Sequence, residues 1–229
     1  MYSRRVPRTV RASTEKRLLA AGRAAFARKG LAGTSLKADI LEPAGVSVGS
    51  FYHRFTDKTD LLLAILRQHS EALRAALRDA HRPARGRTLV DIVRSSYAMV
   101  FRLAEENEDL LRIQLVERTS ADPRVRQYLR EDRARWIASL ADDYRRLDST
   151  RVRPGESAPR PLDADLLAEL VVGLSLGCVA QLLELPRDER PSARARLLKG
   201  LVRFTLGGAA ALAGEIALSV SPTQSGGAP

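Results

Sequence analysis

The chain has 229 residues, 45% of them apolar and 28% charged, which is typical of a globular protein with a sizeable core. Its single cysteine, Cys178, excludes an internal disulfide and a metal site built from several cysteines. The net charge of +11 is concentrated in residues 1–60, where 12 Lys or Arg outnumber 5 Asp or Glu, and this predicts contact with a polyanion there.

The N-terminal segment is predicted to be a flexible basic arm followed by a helix. Residues 1–12 show no apolar periodicity. Ser13 or Thr14 can cap a helix that runs to about Lys29 and carries an apolar face at three- and four-residue spacing. Gly30 then ends the helix, because glycine readily takes the left-handed conformation that follows a helix C-terminus.

Two short helices are predicted next, joined by residues 44–47. Thr34 and Ser35 begin the first helix, and Ser47 caps the second. Gly45 supplies the positive φ that a tight turn between them needs. The side chains expected to face inward are Leu36, Ile40, Ala44, Phe51 and Phe55.

The rest of the chain is predicted to be helical as well, since no segment alternates with a period of two. Helices are expected at residues 48–55, 58–80, 88–106, 109–118, 123–148, 163–185 and 192–218. Asp57 caps the second of these. A loop is expected at residues 153–161, which are rich in Pro and Gly, and a disordered tail at residues 219–229. The sequence therefore predicts an all-α fold.

No targeting or membrane segment is recognised. The arginines near the N-terminus are not followed by the apolar run of a secretory signal. The longest apolar stretches, residues 166–183 and 206–220, are interrupted by Glu or Gln and rich in Ala and Gly, so neither is expected to span a membrane. We therefore expect a cytoplasmic protein without a membrane partner.

Residues 35–54 carry the strongest functional signal, because two short helices at this spacing are typical of a helix-turn-helix. In that motif the second helix enters the major groove of DNA. Its outward face would consist of Val48, Gly49, Ser50, Tyr52, His53 and Arg54. Hydroxyl groups, an imidazole and a guanidinium without any carboxylate suit a surface that meets phosphates and base edges. The pattern therefore predicts DNA binding.

The run AGVSVGSFYHRF at residues 44–55, followed by Asp57-Lys58 and a Leu-rich helix, resembles the TetR/AcrR family of bacterial regulators. Phe26, the Lys29-Gly30 pair and the Thr34-Ser35 pair also match the pattern of that family. The match covers about 50 residues. It is specific as a set, although no single piece of it would be.

This resemblance implies an N-terminal three-helix DNA-binding domain at residues 13–58 and a larger helical ligand-binding and dimerisation domain at residues 59–218. It also implies a homodimer that binds an approximately palindromic, double-stranded DNA operator. A small-molecule effector would release that dimer, and no cofactor is implied. The expected function is regulation of transcription, most simply repression, and not catalysis.

The resemblance also assigns DNA contacts, which are Thr34, Ser35, Lys37, Val48, Gly49, Ser50, Tyr52, His53, Arg54 and Lys58. Tyr52 and Arg54 would bond to phosphates, and Lys58 lies at a helix N-terminus, where free amide groups also attract phosphate. Two positions depart from the family pattern: Lys37 replaces a usual apolar residue, and Pro43 replaces a usual charged one. We therefore predict a lengthened or re-phased start of the second helix.

An effector cavity among the later helices is implied as well, for which the candidate residues are Tyr97, Phe101, Trp136, Cys178 and Gln181. An ordinary core is the alternative for the aromatic residues, and a dimer face is the favoured alternative for Cys178 and Gln181. Two apolar stripes suit such a face. They are Leu166, Leu170, Gly173, Leu174, Gly177 and Ala180, and then Leu197, Leu201, Phe204, Leu206 and Ala210.

Metal binding and catalysis are not expected. The three histidines, His53, His69 and His81, are far apart, with no cysteine or acidic cluster near them. Neither a nucleophile-elbow pattern nor a phosphate-binding glycine loop occurs. Two alternatives remain open: a DNA-binding dimer without a ligand, and a helical small-molecule-binding protein or enzyme whose basic N-terminus is incidental.

Overall fold

The chain is helical throughout the part that the computed structural model describes, which is residues 8–81, 89–149 and 163–212, and these residues contain no strand. The helices are α1 Arg8–Gly33, α2 (a π-helical segment Leu36–Leu41 continued by the α-helical turn Glu42–Ala44), α3 Val48–Tyr52, α4 Lys58–His81, α5 Leu89–Glu106, α6 Glu108–Glu117, α7 Pro123–Ser149, α8 Ala164–Glu184 and α9 Arg190–Leu212. The predicted all-α fold is confirmed. The predicted loop at 153–161 and tail at 219–229 lie outside the described residues, as do the first seven residues of the predicted arm.

The N-terminal unit is built from α1, α2, α3 and the first turns of α4 around one hydrophobic core, to which α6 and α7 also contribute buried side chains. Phe26, Ile40, Phe51 and Leu61 are buried there. α1 crosses α4 so closely at Gly22 that a Cβ on that residue would stand only 2.8 Å from Leu61 Cδ2. A side chain at this position would therefore force the Leu61 side chain or the two helices to shift. Burying a large apolar side chain contributes about 1.5–3 kcal/mol. This core therefore fixes the position of the two short helices.

Two helix ends differ from the predictions. α1 begins at Arg8, so part of the predicted flexible arm is helical. The helix is interrupted at Gly30, where φ is positive as predicted (64°), but ψ is 176° and so lies outside the left-handed helical region. α3 ends at Tyr52 instead of Phe55. The chain continues as a turn, in which the Phe51 carbonyl accepts hydrogen bonds from the N–H groups of the third and fourth residues after it, at 2.8 and 3.0 Å. Phe55 nevertheless stays buried, as predicted.

The larger unit consists of α5–α9 and has a second core that includes Phe101 and Leu182. α8 is long and apolar enough to cross a membrane by length and composition alone, but it packs against α5, α7 and α9, and a third of its apolar stretch is buried. Within the described residues, one apolar side of this helix stays exposed, including Leu166 and Leu170. Leu201, predicted to belong to an apolar stripe for a dimer face, is instead buried in this core, since α9 also packs against α5.

Two polar contacts join α1 to α6, across the two units. Arg23 donates two hydrogen bonds to the Asp109 carboxylate. The backbone N–H of Leu31 donates to Glu117 Oε1 at 2.7 Å, and Glu117 is buried. Because Asp109 lies at the start of α6 and Glu117 at its end, this helix is fastened to the N-terminal unit at both ends.

Candidate nucleic-acid interface and ligand cavity

The turn between α2 and α3 has the geometry that its sequence predicts. Gly45 has φ 58° and ψ 43°, a left-handed conformation that is costly for residues with a side chain. The hydroxyl of Ser47 accepts a hydrogen bond from the Ser50 N–H at 3.2 Å and so caps α3. Val46 is buried between the helices, and its N–H donates to the Leu41 carbonyl at 3.1 Å. The two helices are therefore held in a fixed arrangement, as in a helix-turn-helix.

α2 widens just before its proline. The Glu42 N–H donates to the Lys37 carbonyl, five residues earlier, where an α-helix would use the carbonyl four residues earlier. Pro43 has no N–H to offer the Asp39 carbonyl, so the α-helical pattern does not continue through this turn. This helix is therefore re-phased, but beside Pro43 and not at its start, where the sequence predicted it. It leaves Lys37 exposed and Leu36 half-buried.

Asp39 organises the start of α2. Its carboxylate accepts hydrogen bonds from the Lys29 ammonium at 2.6 Å and from the Ser35 N–H at 2.8 Å. The hydrogen bond from Lys29 holds the pKa of Asp39 below its usual value. The Ser35 hydroxyl caps the helix by accepting from the Ala38 N–H at 3.3 Å. The side chains of Lys29 and Ser35, which precede the helix, and of Asp39 within it therefore hold the first turn of α2 in place.

α3 presents a polar surface on a rigid base. Phe51 and Phe55 are buried, with ring centroids 5.7 Å apart. Val48 and Tyr52 are 52% and 56% exposed. The other predicted contact residues of this segment are exposed or half-buried, namely Gly49, Ser50, His53 and Arg54. The structure therefore brings the predicted residues Val48, Gly49, Ser50, Tyr52, His53 and Arg54 together as one surface, which we call the α3 face.

Two further predicted contact residues, Thr34 and Lys58, use their polar groups within the fold. Thr34 is buried, and its hydroxyl donates to the Gly30 carbonyl at 2.6 Å. The turn after α1 folds this hydroxyl back onto a carbonyl that the helix end leaves free. The prediction that the Thr34 side chain contacts DNA is therefore corrected. The half-buried Lys58 ammonium donates to the Thr34 carbonyl at 2.9 Å and so links α4 to the start of α2.

A cavity of about 610 Å³ lies between α4, α5, α6, α7 and α8. This volume falls in the range of roughly 300–1,000 Å³ that is usual for small-molecule sites. Of the predicted cavity residues, Tyr97 and Trp136 line it. The other three do not: Phe101 is buried in the core, Cys178 is half-buried outside the lining, and Gln181 is exposed on α8. A position on a helix that borders the cavity therefore does not by itself place a side chain in the lining.

The wall formed by α4 and α7 contains a polar cluster that sequence reasoning missed. The Asp132 carboxylate accepts hydrogen bonds from the Ser70 hydroxyl at 2.7 Å and from the Arg74 guanidinium at 2.6 Å. The same guanidinium lies 5.9 Å from the ring centroid of Trp136. One signal could have identified this side of α7. Residues 129, 133, 136 and 140 recur at helical spacing around the only tryptophan of the chain.

Burial shifts the titration of several groups that line the cavity. Burial lowers the pKa of His69, and the charge of Arg23 lowers it further, so the imidazole is neutral at pH 7. Burial raises the pKa of Tyr97 and of Tyr144. The Tyr97 hydroxyl shares a hydrogen bond of 2.5 Å with Thr205 Oγ1 on α9. These groups therefore contribute polarity to the lining without contributing charge.

Comparison with known proteins gives matches at the level of family and fold. Residues 18–65 match the model of the tetR family of bacterial regulatory proteins. A transcriptional regulator from Pseudomonas aeruginosa PAO1 has 20% identity and a TM-score of 0.70, over 91% of this chain and 96% of that one. Salmonella enterica GusR has 24% identity and a TM-score of 0.69, over 86% and 95%. A TetR-family transcriptional regulator from Syntrophomonas wolfei str. Goettingen has 15% identity and a TM-score of 0.69, over 90% and 98%.

The segment that matches the family model contains α2, α3 and the start of α4, and so includes the whole α3 face. No curated protein matches the chain. At these identities the solved structures establish the fold of the larger unit and nothing finer. The lining of the cavity and the side chains of the α3 face are therefore features of this chain that these similarities do not establish.

Proposed function

We propose that the chain, which belongs to the TetR family of bacterial regulatory proteins and regulates transcription by binding DNA, is a repressor that a small molecule releases from its operator. The observation that carries this proposal is that α4 and α6 each contact both the cavity and the N-terminal unit. On α4, the Lys58 ammonium donates a hydrogen bond to the Thr34 carbonyl of the N-terminal unit, while Ser70 and Arg74 line the cavity. A shift of these helices therefore shifts the base of the α3 face.

The α3 face is the proposed contact with the major groove. The Tyr52 hydroxyl and the Arg54 guanidinium suit phosphate oxygens, while His53 and the small residues beside it suit base edges. Lys37 and Ser35 at the start of α2 are proposed to contact the DNA backbone. Lys58 adds positive charge at the N-terminus of α4.

A second copy of the chain is proposed to cover the apolar sides of α8 and α9. Leu166 and Leu170 on α8 and Phe204 on α9 are exposed. Contiguous exposed apolar surface of this kind marks sites of association. A two-fold dimer presents two α3 faces about one DNA turn apart, so the operator is expected to be an approximate palindrome.

Release of DNA is proposed to follow from the position of α6. Gln114 and Arg118 line the cavity, while Glu117 beside them binds the Leu31 N–H of the N-terminal unit. A ligand that prefers a conformation with shifted α4 and α6 stabilises that conformation and changes the separation of the two α3 faces. Operator affinity then falls by the ratio of the ligand's affinities for the two states, and DNA lowers the ligand's affinity by the same factor.

Selection of genomic DNA fragments by the purified protein, followed by fluorescence anisotropy on the selected fragment, tests the DNA-binding part of the proposal. We expect a site with two inverted half-sites that is bound with a Kd of roughly 10 nM or below. A reporter gene placed behind this site should be expressed less when the protein is present. Higher expression would instead identify an activator.

The same fragment distinguishes the proposal from a DNA-binding dimer without a ligand. Compounds that change the fluorescence of Trp136, which lines the cavity, are added to the protein–DNA complex. Loss of anisotropy supports release by a ligand. If compounds that occupy the cavity leave operator affinity unchanged, the protein is a DNA-binding dimer that does not respond to a ligand.

A further inference from the structure

The wall of the cavity carries more positive than negative charge. Its charged side chains are Arg74, Arg118, Arg133, Arg146, Asp132 and Asp143. Asp132 pairs with Arg74 at 2.6 Å, and Asp143 pairs with Arg146. Among the described residues, no carboxylate forms an ion pair with Arg118 or Arg133. Two guanidinium groups at the cavity therefore have uncompensated charge.

Arg133 is the more enclosed of these two arginines. It is half-buried on α7, one turn before Trp136, whereas Arg118 is exposed at the end of α6. Its guanidinium reaches across to α8, where Nη2 lies 4.0 Å from the position that a Cβ on Gly173 would take. A guanidinium partly removed from water without a counter-ion is costly, and a bound anion would offset that cost.

The rest of the lining is mainly apolar. It includes Val93, Val100, Leu103, Leu140, Val171 and Val179. His69 adds no positive charge at pH 7, because burial lowers its pKa. A ligand that complements both parts of the wall must combine a negative headgroup with an apolar body.

We propose that the cavity binds an amphipathic anion, with its carboxylate or similar headgroup at Arg133 and Arg118 and its apolar body against the Val and Leu side chains of α5 and α8. Guanidinium groups bind planar anions through paired N–H donors, which gives them a preference for carboxylates over a hydroxyl. The inference rests on the proposed function only for its regulatory consequence, since binding to the cavity can be measured without DNA.

Titration of the full chain with dodecanoate, 1-dodecanol and dodecyltrimethylammonium tests this inference. The three probes share one apolar chain and differ in the charge of the headgroup. Isothermal titration calorimetry gives the affinities, and the emission of Trp136, the only tryptophan, reports on the cavity. We expect dodecanoate to bind at least tenfold more tightly than either of the other probes. Equal or tighter binding of the alcohol or the ammonium, or no binding of any probe, overturns the inference.

Arg133→Gln and Arg130→Gln form a matched pair of variants. Both remove one positive charge from α7, but Arg130 is exposed and lies outside the lining. We expect Arg133→Gln to weaken dodecanoate at least tenfold while the affinity for 1-dodecanol stays within twofold, and Arg130→Gln to change neither. Arg118→Gln provides a second variant if Arg133→Gln does not fold. A preference for the anion that survives substitution of both arginines would show that the headgroup site is wrong.

Operator binding separates the failure of this inference from the failure of the proposed function. If dodecanoate binds with the expected selectivity and leaves operator affinity unchanged, the anion site is supported and release by a ligand is not. If a neutral or cationic amphiphile releases the DNA, release by a ligand is supported and the anion assignment is overturned.

Discussion

The backbone N–H of Leu31 donates a hydrogen bond of 2.7 Å to Glu117 Oε1, 86 residues further along the chain. Glu117 is the last residue of α6, and Leu31 directly follows the glycine that interrupts α1. The carboxylate satisfies a backbone donor that is shielded from water. One buried side chain of the larger unit thus satisfies a backbone donor of the N-terminal unit, next to residues of α6 that line the cavity.

Glu117→Ala is expected to lower the free energy of unfolding by about 1–3 kcal/mol, because it leaves the buried Leu31 N–H without an acceptor. Glu117→Gln keeps an amide oxygen within reach and should lower it less. Val116→Ala is the control, since Val116 is exposed and the change should stay below about 0.5 kcal/mol. Urea unfolding followed by circular dichroism measures all three. Equal losses for Glu117→Ala and Val116→Ala would contradict the role of the carboxylate.

Tyr52→Phe removes only a hydroxyl from the α3 face. Tyr52 is exposed, so the free energy of unfolding should change by less than about 0.5 kcal/mol. Operator affinity should fall about two- to tenfold, because one hydrogen bond to phosphate contributes about 0.5–1.5 kcal/mol. Anisotropy on the selected operator measures this. Phe51→Ala, one residue earlier and buried, should instead lower stability by about 3–5 kcal/mol. An unchanged operator affinity in Tyr52→Phe would rule out the phosphate contact of this hydroxyl.

The helix-turn-helix could be predicted from the sequence because interactions within about four residues decide it. The Ser47 hydroxyl accepts from Ser50, and Asp57 Oδ1 accepts from the Asp60 N–H at 2.8 Å, each within three residues. Gly45 takes its positive φ because the tight turn between α2 and α3 requires it, and this requirement is also local. Local sequence therefore contained the information for the helix ends and the turn, while the core holds the two helices in position.

The cavity could be predicted only in part, because packing over long sequence distances decides it. Tyr97 and Phe101 are four residues apart on the same side of α5, so the sequence pattern predicts the same surroundings for both. Both are buried in the second core, and only the packing of α5 against its neighbours lets Tyr97 line the cavity as well. The pairing of Arg74 with Asp132 spans 58 residues and has no local signal.

Stability in acid is expected to depend on Glu108. The Arg190 guanidinium donates to its carboxylate at 2.8 Å and, together with Arg112, lowers the pKa of Glu108 to about 2. The unfolded chain has the ordinary value near 4.5, so the folded state gains stability above that pH. This gain is lost as the pH falls from about 4.5 to about 2.

Glu108→Gln should therefore be less stable than the wild type at neutral pH and lose less stability across that interval. Urea unfolding at a series of pH values measures the difference. Glu184→Gln, which removes one exposed carboxylate from α8, is the control for loss of a charge alone. Parallel pH profiles for Glu108→Gln and the wild type would show that the contact with Arg190 does not contribute to folding.

Leu170→Arg tests whether the uncovered side of α8 joins two copies of the chain. Leu170 is 43% exposed, so an arginine there should disturb the fold of one chain little, while it would bury an unpaired charge in the proposed interface. We expect a monomer at micromolar concentration by analytical ultracentrifugation. Operator affinity should fall about 100-fold or more, because each half-site is then bound independently. Val90→Arg makes the same change at an exposed position on α5 and should remain dimeric. A dimeric Leu170→Arg with wild-type operator affinity would mean that another surface joins the two α3 faces.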